Sequence, residues 1–248
     1  MPNNLPPIRD DYPEEYLTWS VYFYGRDFIV TPDVLIPRLE TESLVRRARR
    51  ILHENKMNNM WNGKDSKKKT IVVDIGCGSG IIGTSVADLA DEVIFLDISP
   101  EALRIAEENF RTHFPEKKAQ FIISDLLWYF FEPSNPPAFQ HSNILFVANL
   151  PYIRDGDWDH MSADTMHEPR LALFWGESTG FELYERLFDE LFQFCSLWQS
   201  NHPTIQLLYE FWYDQREIAE RVIQKYPRWE YSFFADYAGV ERFGEVVL

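Results

Sequence analysis

The stretch Ile71-Val72-Val73-Asp74-Ile75-Gly76-Cys77-Gly78-Ser79-Gly80 constrains this chain more than any other. Its apolar half has no polar alternation, as expected for a strand covered on both faces, and such strands belong to parallel sheets layered between helices. The glycine-rich half leads directly into a helical pattern at Ile81, so strand, turn and helix open a βαβ unit. From Thr70 onward the pattern continues: strands are expected near 70–75, 93–97, 119–124, 144–149, 205–211, 229–234 and 244–248. Helices are expected near 81–90, 100–113, 181–197 and 214–225. The expected fold class is α/β and Rossmann-like, with a seven-stranded, mostly parallel sheet and helices on both faces. Residues 235–243 are too few for a crossover helix, so the last strand should run antiparallel.

Upstream of the sheet, 1–18 reads as a Pro- and acid-rich arm, and 19–54 as a hairpin around Gly25 followed by a helix leading into the core. Residues 55–69 read as a polar loop, and 70–248 as the main domain. No apolar run approaches the ~18 residues of a membrane span, and no basic, apolar leader opens the chain, so a soluble protein is expected. Cys77 and Cys195 form no C-x-x-C pair, which fits a reducing, cytoplasmic setting. The net charge of −15 lacks the footprint of a nucleic-acid binder, so no stable nucleic-acid partner is expected. The basic clusters Arg46-Arg47-Ala48-Arg49-Arg50 and Lys67-Lys68-Lys69 read as a solvated helix face and a loop. The six histidines show no metal-ligand spacing.

Two registers compete for the glycine loop. Gly78-Ser79-Gly80-Ile81-Ile82-Gly83 matches G-x-G-x-x-G with Asp97 about twenty residues on, the dinucleotide pattern. Asp74-x-Gly76-x-Gly78-x-Gly80 fits better, because here the first glycine follows the strand directly. An acidic Asp74 would repel a pyrophosphate but suits an ammonium group, as on S-adenosylmethionine, directly or through water. Asp97 ends the second strand, where its carboxylate can accept from ribose hydroxyls; Ser99 before Pro100 supplies the helix cap. Ser124-Asp125-Leu126 closes the third strand, with Asp125 placed to accept from an adenine amino group and Leu126 to cover a face.

The fourth strand ends in Asn149-Leu150-Pro151-Tyr152. An asparagine oxygen and the next main-chain carbonyl form two adjacent acceptors for a planar NH₂, and Tyr152 could stack on the flat group. An amide and an exocyclic amine of adenine both satisfy that description. Asp74–Gly80, Asp97 and Asn149–Tyr152 together resemble the class I S-adenosylmethionine-dependent methyltransferase pattern. Further stretches resemble the HemK/PrmC family of peptide chain release factor glutamine N5-methyltransferases. They are Gly25-x-x-Phe28, Leu35-Ile36-Pro37-Arg38-Leu39-Glu40-Thr41-Glu42, Glu168-Pro169-Arg170-x-Ala172-Leu173, Gly176 to Gly180, Glu210 with Asp214-Gln215, and Asp236-Tyr237-Ala238-Gly239-x-x-Arg242.

The resemblance implies methyl transfer to the glutamine of the Gly-Gly-Gln loop of a release factor, the implied partner. Asn149, Leu150, Pro151 and Tyr152 would be the catalytic set. Asp74, Gly76, Cys77, Gly78, Ser79, Gly80, Asp97, Ile98, Asp125, Leu126 and Asn149 would line the S-adenosylmethionine site. The sequence departs from the family at Leu150, where the family usually has proline. Only about twenty residues precede the hairpin, so the family's N-terminal helical domain is expected to be missing.

Overall fold

The computed structural model describes residues 11–61, 68–132, 134, 139, 142–197 and 204–248. Its centre is a seven-stranded sheet of β3 (Lys69–Ile75), β4 (Glu92–Asp97), β5 (Ala119–Ile123), β6 (Ser142–Ala148), β7 (Thr204–Glu210), β8 (Glu230–Ala235) and β9 (Glu241–Val247), in the order β5-β4-β3-β6-β7-β9-β8. Strands β3 to β7 pair in parallel, and β9 pairs antiparallel with both β7 and β8. The expected fold class stands. Every residue of β4 and β6 is buried, which is why neither strand alternates in sequence.

Successive side chains of the strands point to opposite faces, and each face has its own core. On one face, α2 (Thr41–Trp61), α3 (Ile81–Val86) and α4 (Pro100–His113) pack Leu44, Val45, Ile82 and Phe110 over Val72, Phe95 and Val147. On the other, α6 (Glu182–Leu197) and α7 (Arg216–Ile223) cover Val73, Phe146 and Leu207 with Leu187, Phe188, Phe194 and Val222. The short α5 (Arg170–Leu173) lies in the long connection before α6. Among the described residues no helix is long and apolar enough to cross a membrane.

Three local expectations change. Helix α2 continues to Trp61, through residues read as loop; Glu, Lys and Met are good helix formers, so polarity alone does not end a helix. Residues 62–67, including Lys67, lie outside the described residues, and Lys69, read as loop, opens β3. Within the segment read as an arm, α1 (Glu14–Thr18) forms a helical turn, and its Tyr16 is buried with its hydroxyl donating to the Val34 carbonyl at 2.6 Å. The rest of the arm, 1–10, lies outside the described residues. The helix expected over 81–90 ends as α3 at Val86 and finishes in a 3₁₀ turn over Ala87–Leu89. Three of the four arginines of the cluster are in ion pairs, Arg47 with Glu245, Arg49 with Asp88 and Arg50 with Glu54.

The hairpin forms as expected, β1 (Val21–Phe23) against β2 (Arg26–Phe28), around Tyr24 and Gly25, both at positive φ. A buried side chain ties its end to the glycine loop. Asn109 of α4, 1% exposed, accepts from Ile29 N–H at 2.7 Å and donates to the carbonyls of Ile29 and Ser79, each at 2.9 Å. Replacing it by alanine leaves three backbone groups unpartnered between hairpin and glycine loop. Asn109→Ala should therefore lower the unfolding free energy by about 2–4 kcal/mol in urea titration.

Candidate active site

Parallel pairing of β3 with both β4 and β6 opens a crevice at the C-terminal edge of the sheet, where the connections leave in opposite directions. A cavity of about 310 Å³ occupies it, within the range of small-molecule sites. Ile75 is in register with Ala148, so Gly76 and Asn149 emerge side by side. Gly76 has φ +63, and a Cβ there would fall 2.7 Å from Leu150 Cδ2. Gly78 has φ +53 and nothing within 4 Å of where its Cβ would be, which leaves its backbone open to close approach by a ligand.

The loop is anchored to β4: Cys77 N–H donates to the Leu96 carbonyl at 3.0 Å, and Gly78 N–H to Asp97 Oδ2 at 2.9 Å. Asp97 Oδ1 accepts from Ser99 N–H at 2.9 Å, so the carboxylate is fixed while each oxygen keeps acceptor capacity. Burial pushes its pKa above the ordinary carboxylate value. Asp74 is 1% exposed and lies behind the cavity lining. Its Oδ2 accepts from Gly83 N–H at 2.7 Å, its Oδ1 has no hydrogen-bond partner among the described residues, and burial pushes its pKa up to about 8. Asp74, expected among the cofactor residues, therefore does not itself line the cavity, and its carboxylate could meet the ammonium of a ligand only through water.

Of the expected cofactor residues, Gly76, Cys77, Gly78, Ser79, Asp97, Ile98, Asp125, Leu126 and Asn149 line the cavity. Gly80 does not: its Cβ position meets Ala106 at 2.9 Å, so it serves helix packing. Leu126 takes φ +49 and Asp125 pairs with Arg186. Arg38 is the one cationic side chain lining the cavity among the described residues, and it is committed to Glu168 at 2.5 Å. The lining thus offers the carboxylates of Asp33, Asp97, Glu101 and Asp125 and apolar walls but no free cation for a pyrophosphate, which matches S-adenosylmethionine better than a dinucleotide.

At the end of β6, Asn149 Nδ2 donates to Thr41 Oγ1 at 3.3 Å, and Thr41 Oγ1 donates to Glu210 Oε2 at 2.8 Å. Among the described residues neither Asn149 Oδ1 nor the Leu150 carbonyl accepts a hydrogen bond. Leu150 N–H donates to the Tyr184 hydroxyl at 3.0 Å, a bond that proline at this position could not make. Pro151 lines the cavity, but Tyr152 does not; its ring lies 5.6 Å from Trp212 and its hydroxyl 3.5 Å from Glu210 Oε1. Gln215 holds the Tyr152 carbonyl from behind at 2.9 Å.

Sequence reasoning missed the wall opposite. Residues 32–38 fold over the cavity and are pinned by Glu168, which accepts from Ile36 N–H at 2.9 Å as well as from Arg38. Trp175, Leu171 and Leu183 complete that side. No local pattern marks these residues; the family resemblance alone flagged Leu35–Glu42 and Glu168.

Known proteins resemble this chain in sequence and in fold. The methyltransferase small domain family matches residues 47–144. A release factor glutamine methyltransferase of Koribacter versatilis is 32% identical over 233 residues, covering 93% of this chain and 72% of that one. Its counterpart in Enterococcus faecalis is 34% identical over 190 residues, covering 75% of this chain and 60% of the other, so this chain spans less than two thirds of that relative. The N-terminal domain of human METTL16, solved in complex with SAH, shares the fold with a TM-score of 0.54 at 13% identity, covering 90% of this chain and 76% of that one.

Two buried carboxyls make stability depend on pH. Burial pushes Asp74 up to about 8 and Glu210 up to about 7, the latter opposed by Thr41 and Arg242. Folding therefore favours their protonated forms. Their contribution is full below the ordinary carboxylate range and is lost as pH rises through about 7 and 8. Between pH 5 and pH 9 the melting temperature should fall by well over ~4 °C, since each pH unit that a carboxyl spends between its unfolded and folded pKa removes about 1.4 kcal/mol. The double variant Asp74→Asn, Glu210→Gln should flatten that slope in calorimetric melts.

Proposed function

The chain belongs to the release factor glutamine methyltransferase family, and from that premise we propose that its cleft methylates a side-chain amide nitrogen, that of the Gly-Gly-Gln glutamine of a peptide chain release factor. The observation that carries this reading is the pair of uncommitted acceptors at the end of β6, Asn149 Oδ1 and the Leu150 carbonyl, beside the glycine loop. Both N–H bonds of a primary amide can be held there, fixing the position and plane of its nitrogen.

S-adenosylmethionine, when bound, supplies a methyl group activated by a sulfonium. Gly76 to Ser79 would take its amino-acid part, Asp97 its ribose hydroxyls, and Ile98 and Leu126 the faces of its base. The residues of the chain then act by positioning. Asn149 and Leu150 hold the acceptor amide, while Gly76 lets Leu150 pack close over the glycine turn. As the nitrogen took the methyl group, the methyl–sulfur bond would break to leave a neutral thioether, and the nitrogen would lose one proton along its hydrogen bond to Asn149 or the Leu150 carbonyl and on to solvent. Neither acceptor is a strong base, and none is required for barrier lowering by orientation, worth up to ~7–11 kcal/mol. The wall from Pro32 to Arg38 limits access of water from the other side.

The test is transfer of label from S-adenosylmethionine to purified release factor and, in parallel, to ribosomal RNA. Label should appear on the Gly-Gly-Gln glutamine. Asn149→Ala should reduce the rate at least about 100-fold, well beyond any loss of cofactor affinity seen by calorimetry. Asp97→Ala should instead weaken cofactor binding about 10–100-fold, the cost of losing charge-assisted hydrogen bonds. Label on RNA alone, or tighter binding of NAD than of S-adenosylmethionine, would refute the reading.

A further inference from the structure

The Asn149 amide can serve an NH₂ acceptor only with its oxygen facing the cleft. We propose that Thr41 and Glu210 form a buried relay that sets this orientation, making both of them positioning residues for the amide acceptor; the inference rests on the function proposed above. Thr41, at the first position of α2, is fully buried, and Glu210, at the end of β7, is 1% exposed. The relay thus joins three elements, through contacts spanning 108 residues from Thr41 to Asn149 and 169 from Thr41 to Glu210.

Its direction follows from proton counting. An ionised carboxylate only accepts, so it takes the single proton of the Thr41 hydroxyl at 2.8 Å. Thr41 Oγ1 can then only accept from Asn149, so the amide end 3.3 Å away must be Nδ2, and Oδ1 is left for the cleft. Protonated Glu210 reverses this. Its own O–H can donate to Thr41, whose proton is released to Asn149 Oδ1, and the amide turns its NH₂ toward the cleft, donor against donor.

The groups facing Glu210 are Arg242 of β9, Glu40 just before α2, and the hydroxyls of Tyr152 and Tyr184, the last donating to the Glu210 main-chain carbonyl. Arg242 is shared with Asp236 at 2.9 Å. Burial outweighs these neighbours and brings Glu210 up to about 7, which places the reversal near neutral pH.

The experiment compares wild type with Thr41→Val, Thr41→Ser and Glu210→Gln, with release factor and S-adenosylmethionine as substrates. Thr41→Val should lower kcat/KM for release factor about 10–100-fold with cofactor Kd within about twofold, and Thr41→Ser should recover most of the loss. The wild-type rate should rise through about pH 7, and Glu210→Gln should lose that limb. Unchanged kcat/KM in Thr41→Val, equal loss in Thr41→Ser, or a flat wild-type profile would overturn the relay.

A second measurement needs neither turnover nor the Thr41→Val variant. The ¹⁵N side-chain amide resonance of Asn149, identified by its disappearance in Asn149→Asp, should titrate near pH 7 in wild type and not in Glu210→Gln. Absence of that titration refutes the relay even if some variants fold poorly. If wild type labels no protein while the resonance titrates, the relay stands and the substrate reading fails.

Discussion

The parallel pairing of β3 with β6 is the constraint on which the rest of this site depends. With Asp74 opposite Val147 and Ile75 opposite Ala148, the two chains leave the sheet at the same level. A slip of one residue would turn every side chain of a strand to the other face and separate the glycine turn from Asn149. That register is held by burial on both faces, since Val73 and Phe146 serve one core while Val72 and Val147 serve the other. Hydrophobic packing therefore sets the geometry of a polar site.

Around this edge the molecule keeps its polar groups in pairs that leave a few acceptors free. Asp97 is fixed by two main-chain N–H groups and still faces the cavity. Asn149 commits its NH₂ to Thr41, Leu150 its N–H to Tyr184, and Tyr152 its carbonyl to Gln215. The free Asn149 Oδ1 and Leu150 carbonyl are what remains after that pairing, and they suit a bidentate hold on NH₂. Burial of Glu210 and Asp74 is costly for a charged carboxylate, which is why both are pushed upward. Leucine at 150 is compatible with the site because its extra N–H finds the Tyr184 hydroxyl and its side chain fills the space over Gly76.

From Thr70 to the C-terminus most strands and helices were legible within a few residues. The patterns that mark them, unbroken apolar runs for β4 and β6 and amphipathic spacing for α4 and α6, are the ones burial requires. The end of α2 from Asn55 was read as loop because its polar sequence carries little apolar periodicity. The helical turn at Tyr16 was hidden for the opposite reason, since one buried tyrosine makes no pattern. Gly80 was read as part of the ligand loop, and only its contact with Ala106 reveals a packing role.

By itself, then, the sequence determined the βαβ order, the glycine turn after the first strand of the sheet, and the chemistry at the strand ends, an acid at Asp97 and an amide at Asn149. These are local properties, because periodicity and turn chemistry depend on neighbours a few residues apart. Tertiary structure alone decided which polar atoms stay free: Thr41 reaches Asn149 across 108 residues of chain, Arg38 reaches Glu168 across 130, and Asn109 reaches Ile29 across 80. Hydrogen bonds between such distant residues are fixed only when separate elements close on a common core, and no spacing within the chain encodes them.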